Sequence, residues 1–398
     1  MTAGRSAGVS LPLLILLSLA SSVSPFGMTV LVPNLNALAI SFQQDYGQVQ
    51  FLISVYLFGL AVAQPLAGAL GDRFGRRPVL LVGLALFVAA SLACAVATRF
   101  DLLILLRFLQ AVGVSVGTVC SRAILRDRLD EAASAEANSY VAAAMGFAPI
   151  VAPVIGGLAG AEFGPQSVFT FSALIALAIW IGIYRHLPET RRPEHRVPVN
   201  FSEYRRNYGR LLSSGVFVGY TLLFGFGQGI FFAFMAVGAP VFETYLKLGQ
   251  REFGLVWGML AIGYVVCATL GGRLARRFAY QTLLLIAACV ACAAGWTLWV
   301  VTVTDQLSAF SLIGLLVILI SVNGIITPLS LAGAVSYRPL IAGTASGLSS
   351  SIGLVTGGAF TIIAGSVYSG SFLPVALLMA IACTLAMAMV LLIRYSRA

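Results

Sequence analysis

Apolar runs of about 20 residues, each ended by a short polar break, recur along the whole chain and constrain it more than any single residue does. A helix of about 20 residues crosses the roughly 30 Å hydrocarbon core of a bilayer. The runs lie at approximately 11 to 33, 50 to 70, 78 to 97, 102 to 124, 139 to 160, 166 to 187, 213 to 238, 253 to 273, 282 to 303, 308 to 333, 341 to 366 and 372 to 393. With 59% hydrophobic and only 10% charged residues over 398 positions, water cannot be the main solvent of this chain. The expectation is an all-α polytopic membrane protein of twelve transmembrane helices in a lipid bilayer.

Charge orients these helices, because Lys and Arg are retained in cytoplasmic loops. An even count of spans places both termini on one side. With that side cytoplasmic, the loops at 71 to 77, 125 to 138, 188 to 211, 274 to 281 and 334 to 340, the termini and adjoining helix ends hold 20 of the 24 basic residues. Arg99, Lys247 and Arg251 fall on the other side, and Arg107 lies within a span. The net charge of +10 is therefore spread over short loops rather than gathered on one face, which marks orientation and no nucleic-acid partner. Cys94, Cys120, Cys267, Cys289, Cys292 and Cys383 all fall inside spans, which suggests packing rather than a disulfide or metal framework. Leu11 to Ala20 followed by Ser21-Ser22 has the form of a signal peptide. Its cleavage would leave eleven spans and disturb the charge pattern, so it is retained as the first span.

The longest polar stretch, from Pro188-Glu189-Thr190-Arg191-Arg192-Pro193 to Arg210, has six spans on each side. This organises the chain as an N-terminal six-helix bundle at 1–190, a cytoplasmic linker at 191–211 and a C-terminal six-helix bundle at 212–398. Gly71-Asp72-Arg73-Phe74-Gly75-Arg76-Arg77 joins spans two and three, and a degraded echo, Gly272-Arg273-Leu274-Ala275-Arg276-Arg277-Phe278, joins spans eight and nine. Matching Arg73-Phe74 to Arg277-Phe278 gives an offset of 204 residues, close to the spacing of the halves, as expected for parallel repeats.

In that first loop, Gly68 removes a side chain where another helix can approach, and Gly75 permits a tight reversal. Arg73, Arg76 and Arg77 complement the carbonyl end of helix two. The carboxylate of Asp72 can meet a helix N-terminus or an arginine; Arg122 and Arg126, at the end of helix four beside Asp127, are candidate partners. The segment Gly68 to Pro78 resembles the major facilitator superfamily, whose loop between helices two and three reads G-x-x-x-D-R-x-G-R-R. The resemblance implies a major facilitator fold. It also implies that this loop latches the two halves on the cytoplasmic side, with helix eleven as the usual neighbour when the cavity faces out.

Arg107-Phe108-Leu109-Gln110-Ala111-Val112-Gly113 resembles the same family's helix-four pattern R-x-x-Q-G-x-G, with Ala111 in place of a glycine. An arginine within a span costs about 2.5 to 3.5 kcal/mol on insertion scales, so it faces a cavity or a partner. The alternative is a side chain snorkelling to the surface about five residues, or roughly 7.5 Å, away. Gln110 shares the face of Arg107. Gly146-Phe147-Ala148-Pro149-Ile150-Val151-Ala152-Pro153-Val154-Ile155-Gly156-Gly157 in span five resembles the superfamily's antiporter signature, with Ala152 where the family has glycine. Pro149 and Pro153 remove backbone donors, and Gly156 and Gly157 allow close helix packing.

Arg122-Ala123-Ile124-Leu125-Arg126-Asp127 and Leu187-Pro188-Glu189-Thr190 extend the likeness to the twelve-span drug:proton antiporters of the bicyclomycin and chloramphenicol resistance subgroup. It covers residues 25 to 190 well and the second half mainly in helix pattern. One departure is Phe26, which stands where that subgroup often carries an acid in helix one. No Asp or Glu lies deep in any of the twelve runs, whereas a proton carrier is normally a buried carboxylate. Asp72 and Asp127, exchanging arginine partners, remain available to follow protonation.

In span seven, Tyr220, Phe224, Gln228 and Phe231 share one helical face, suited either to an aromatic cavity wall or to packing against helices and lipid. Asn323 in span ten is a second polar candidate for the cavity, or an interhelical hydrogen bond. Gly343, Gly347 and Ser351 form a small-residue packing stripe. The sequence lacks paired acids, a nucleophile with its base or metal ligands near the spans, and His186 and His195 sit by the linker, so no enzyme and no cofactor are expected. The expected function is export of a small amphipathic compound by a monomer, by alternating access with protons as the coupling ion. Uptake or facilitated passage of a small metabolite is the alternative.

Overall fold

The computed structural model describes residues 9–129, 131–190, 201–247, 250–275, 277–337 and 341–395. The linker segment 191–200 with His195, and Arg276 of the second loop, lie outside the described residues. Among those described, twelve helical stretches are long and apolar enough to cross a membrane.

The first span is interrupted. Helix α1 (Leu11–Thr29) ends before a 3-10 turn at Val32–Asn34, and α2 (Leu35–Phe42) completes it. Pro33 has no N–H for the carbonyl of Thr29, so the α-helical ladder stops there. The sequence places the end of this span at 33; the structure carries it to Phe42, where Gln43 closes α2 in a left-handed conformation at φ 52°. The second span comprises α3 (Tyr46–Val49), whose Asp45 and Gln48 form a capping box, and α4 (Phe51–Phe74).

The remaining spans are single helices: α5 (Arg76–Ala95), α6 (Phe100–Arg128), α7 (Glu131–Phe163), α8 (Ser167–His186), then, after the linker, α10 (Gly215–Leu246), α11 (Gln250–Leu274), α12 (Tyr280–Val303), α13 (Ala309–Ser336), α14 (Ala342–Val367) and α15 (Leu373–Tyr395). Helix α9 (Phe201–Leu212) is not a span. It buries Leu211 and exposes Arg205, Arg206 and Arg210, the pattern of a helix with one wet face.

Two compact units result, one of residues 1–31 and 62–200, the other of residues 32–61 and 201–398. Segment 32–61 thus packs with helices distant from it in sequence. In the first unit α1 packs on α6, α7 and α8, and α5 on α6 and α8. Helix backbones approach each other directly there. A methyl on Gly113 would lie 2.6 Å from Gly83 O and 2.7 Å from Phe87 N, and methyls on Gly117 and Gly156 would overlap the carbonyls of Ala20 and Val30. Such contact through small residues substitutes for hydrophobic drive, which lipid does not supply.

In the second unit α10 packs on α13, α14 and α15, α11 on α13, and α12 on α13 and α15. Here several glycines receive rings, Phe224 on Gly353, Phe232 on Gly357, Tyr220 on Gly333 and Phe360 on Gly229, while Gly324 meets the backbone of Tyr264.

Candidate functional site

The segment 71–77 is not a loop but a corner of one residue. Helix α4 continues to Phe74 and α5 starts at Arg76, with Gly75 between them at φ 103° and ψ 151°. That conformation is open to glycine and closed to other residues. The first two amides of α5, Arg76 N and Arg77 N, donate to Glu189 Oε1 and Oε2 at 3.1 and 3.2 Å. A carboxylate arriving from the end of α8 therefore caps the helix N-terminus.

Arg76 is buried, only 2% exposed, and its guanidinium joins two helix ends. Nη2 meets Asp72 Oδ1 at 2.5 Å and Nε meets Asp127 Oδ2 at 3.5 Å. The sequence expectation assigned Arg122 and Arg126 to Asp72; the structure gives that place to Arg76, which lies one helical turn on because α4 and α5 are nearly continuous. Arg122 instead reaches Met145 Sδ at 3.8 Å, and Arg126 is exposed in the last turn of α6, where its charge complements the carbonyl end. Arg77 donates to Tyr184 O at 2.9 Å with its guanidinium over that ring, and exposed Arg73 lies over the ring of Phe74. Beside Arg76, a methyl on Gly71 would lie 2.9 Å from its Nη1, whereas one on Gly68 would make ordinary contact with Val119.

Arg107 does not snorkel. At 1% exposure its Nη1 donates to Gly27 O at 3.1 Å and to Gln110 Oε1 at 2.8 Å. Gln110 Nε2 in turn donates to Ser91 Oγ at 2.6 Å, and the guanidinium lies 5.9 Å from the centre of the Phe169 ring. Gly27 lies in the last turn of α1, whose carbonyls need outside donors. Arg107 thus secures the broken first span from α6, next to buried Phe26.

Pro25 frees a second carbonyl of α1, that of Ser21, which accepts from Thr118 Oγ1 at 3.4 Å. Helix α7 lies along α1. Its Pro149 is half-buried, Pro153, Gly156 and Gly157 are buried, and Gly156 brings α7 onto the backbone of Val30 at the break in the first span.

In the second unit Tyr220 is fully buried, packed on Gly333 and stacked with Tyr280 at 6.1 Å. Packing rather than a cavity wall accounts for it. Phe224 packs on Gly353 and Phe231 meets Trp257 edge-on at 5.6 Å; both, like Gln228, are half-buried. Asn323 takes the interhelical alternative, donating from Nδ2 to Gly227 O at 2.8 Å. Thr327, which donates to Asn323 O at 2.9 Å and pairs with Tyr264 Oη at 2.8 Å, completes this polar cluster; neither was singled out in the sequence. Ser91 and the capping role of Glu189 were missed as well. Only Glu189 carried a signal, its place in Leu187-Pro188-Glu189-Thr190. Among the described residues no three His, Cys, Asp or Glu side chains gather to hold a metal.

The family model described as Major Facilitator Superfamily matches residues 17–361. A bicyclomycin resistance protein homolog of Haemophilus influenzae is 26% identical over 341 residues, covering 86% of this chain and 85% of that protein. Multidrug resistance protein D of Escherichia coli is 27% identical over 338 residues, 84% of each. Among solved structures, a D-xylose-proton symporter superposes with a TM-score of 0.79 at 15% identity over 96% of both chains, and the human organic anion transporter MFSD10 with 0.70 at 19% identity over 98% of this chain and all of that one. At those identities the structures speak for the fold, while the two resistance proteins are similar along most of their length. With twelve membrane-spanning helices, a charged corner of the expected pattern and a family match over most of its length, this chain is a multi-pass transporter, not an enzyme, and belongs to the Major Facilitator Superfamily.

Proposed function

We propose that this protein exports a small amphipathic compound by alternating access in exchange for protons, from a bacterial inner membrane with both termini in the cytoplasm. The observation that carries the reading is the similarity to a bicyclomycin resistance homolog and a multidrug resistance protein over 84–86% of this chain. Local geometry supports it: the proline-bearing α7 lies on the break in the first span, and Arg107 holds that break from α6. Because Arg107 is engaged with Gly27 and Gln110, we do not assign it to an anionic cargo. Half-buried Phe224, Gln228 and Phe231 are the proposed contacts for a partly apolar one. Two carboxylates share one cation in the cluster of Arg76, Asp72 and Asp127, which makes it the proposed seat of proton coupling.

The test is the pH inside inverted vesicles carrying a proton gradient, read while candidate compounds are added. Native protein should release protons on addition of cargo, and Asp72→Asn should reduce the release severalfold. Movement of cargo without protons would replace this reading by facilitated passage of a small metabolite, which Phe26, buried at the position where related antiporters often carry an acid, favours.

A further inference from the structure

Helix α10 runs unbroken from Gly215 to Leu246 although Pro240 stands inside it. A proline has no N–H, so the carbonyl one turn earlier, that of Ala236, loses its helical donor. Ala236 is fully buried, and a buried carbonyl without a donor is costly. Two side chains of one short segment supply what the proline withholds: Tyr46 Oη donates to Ala236 O at 2.7 Å and Gln50 Nε2 donates to the same oxygen.

A second joint repeats the device in reverse. Pro65 in α4 frees the carbonyl of Ala61, and Ser351 Oγ of α14 donates to it at 3.0 Å. Segment 32–61 thus gives hydrogen bonds to one proline-vacated carbonyl and receives one at another. Close contacts sit around these joints. A methyl on Gly47 would lie 3.1 Å from Gly365 O, the rings of Tyr46 and Tyr368 meet edge-on at 6.0 Å, and Asn36 Nδ2 donates to Glu243 Oε2 at 2.9 Å.

We propose that Tyr46 and Gln50, acting on the carbonyl vacated by Pro240, form a gate that closes this transporter on one face of the membrane, while Ser351 holds the same span near its middle. Tyr46 and Phe74 are opposite ends of a single span, so the gate lies on the face away from the Gly75 corner. The proposal rests on the alternating-access reading given above. It explains why these bonds use vacated carbonyls: such an oxygen accepts a side chain when the segment docks and water when it leaves, with no helical bond broken either way. Gln50 is fully buried, and its amide nitrogen is aimed at that carbonyl. A side-chain hydrogen bond between membrane helices shifts a population by about threefold, so a few of them make a gate that opens rather than a lock. These are positioning residues, which act on the closed state and not on cargo.

The test is hydrogen–deuterium exchange of the purified full chain in lipid nanodiscs, read over residues 44–52 and 234–246, with no cargo and no proton gradient. Tyr46→Phe, Gln50→Leu and Pro240→Ala should each raise exchange in both segments about threefold. Pro240→Ala returns an N–H to Ala236 O, so the clamp loses its purpose, and the double variant Pro240→Ala/Gln50→Leu should exchange no faster than Pro240→Ala alone. Multiplying effects, about ninefold in the double variant, or unchanged exchange in Tyr46→Phe and Gln50→Leu, would overturn the gate. Tyr46→Phe removes one oxygen and keeps the ring, which separates loss of the bond from loss of the fold. In transport, gate variants should change the maximal rate and leave the apparent KM for cargo unchanged. The exchange readout needs neither export nor proton coupling, so failure of the gate and failure of the proposed function are told apart.

Discussion

At the scale of single residues, the site is organised by two buried guanidinium groups that do different work. Arg76 neutralises two carboxylates at once. Arg76→Ala would leave Asp72 and Asp127 without their shared cation. Because the Asp72 side chain is 36% exposed, the cost should fall below that of a fully buried pair, at about 2 kcal/mol. The melting midpoint in detergent should drop accordingly, and adding Asp127→Asn should recover part of the loss. Arg107 serves a carbonyl and an amide. Arg107→Lys keeps the charge but loses the fork that reaches Gly27 and Gln110 together; transport should fall at least tenfold while the folded yield is retained. The residue types at both places were legible in the sequence, since charge in or beside an apolar run demands a partner. The partners were not. Hydropathy reads charged residues as loop, whereas Asp72, Arg73 and Arg76 are helical, and only that continuity sets Arg76 one turn from Asp72.

At the scale of elements, the corner between α4 and α5 depends on two residues that act on backbone. Gly75→Ala must place a side chain at φ 103°, and its methyl would come 2.5 Å from Glu189 Oε2. A cost of about 2 kcal/mol and release of the Glu189 cap should follow, seen as faster amide exchange at Arg76 and Arg77. Glu189→Gln keeps an acceptor and removes the charge facing the helix N-terminus, so it should cost less, about 0.5 to 1 kcal/mol, in the same thermal assay. Element existence was legible almost throughout, because a run of about 20 apolar residues has one solution in a bilayer. The first span was not legible in full. The polar residues Asn34, Asn36 and Ser41 interrupt the apolar run, and nothing in that pattern shows that a helix resumes after Pro33.

At the scale of the whole molecule, chain order and packing disagree at one place, segment 32–61, which packs with residues 201–398. Asn36→Asp would set a second carboxylate against Glu243 across a 2.9 Å contact. Repulsion should loosen the segment, with exchange over residues 34–44 rising severalfold and falling back on added salt. Repeat symmetry could be read from the two arginine-bearing loops; this segment could not, because the bonds of Tyr46 and Gln50 end on a backbone carbonyl that has no sequence signature except a proline four residues later. The contrast between the units also bears on how such a protein can drift. Where two backbones touch, as at Gly83 and Gly113, only glycine fits on either side, and a single replacement has no compensating partner. Where a ring rests on a glycine, as Phe224 does on Gly353, a smaller apolar residue can be exchanged for a larger facing one in two steps. The backbone contacts at Gly83, Gly113, Gly117 and Gly156 of the first unit are therefore frozen by geometry, whereas the ring-on-glycine contacts of the second can be repacked at little structural risk.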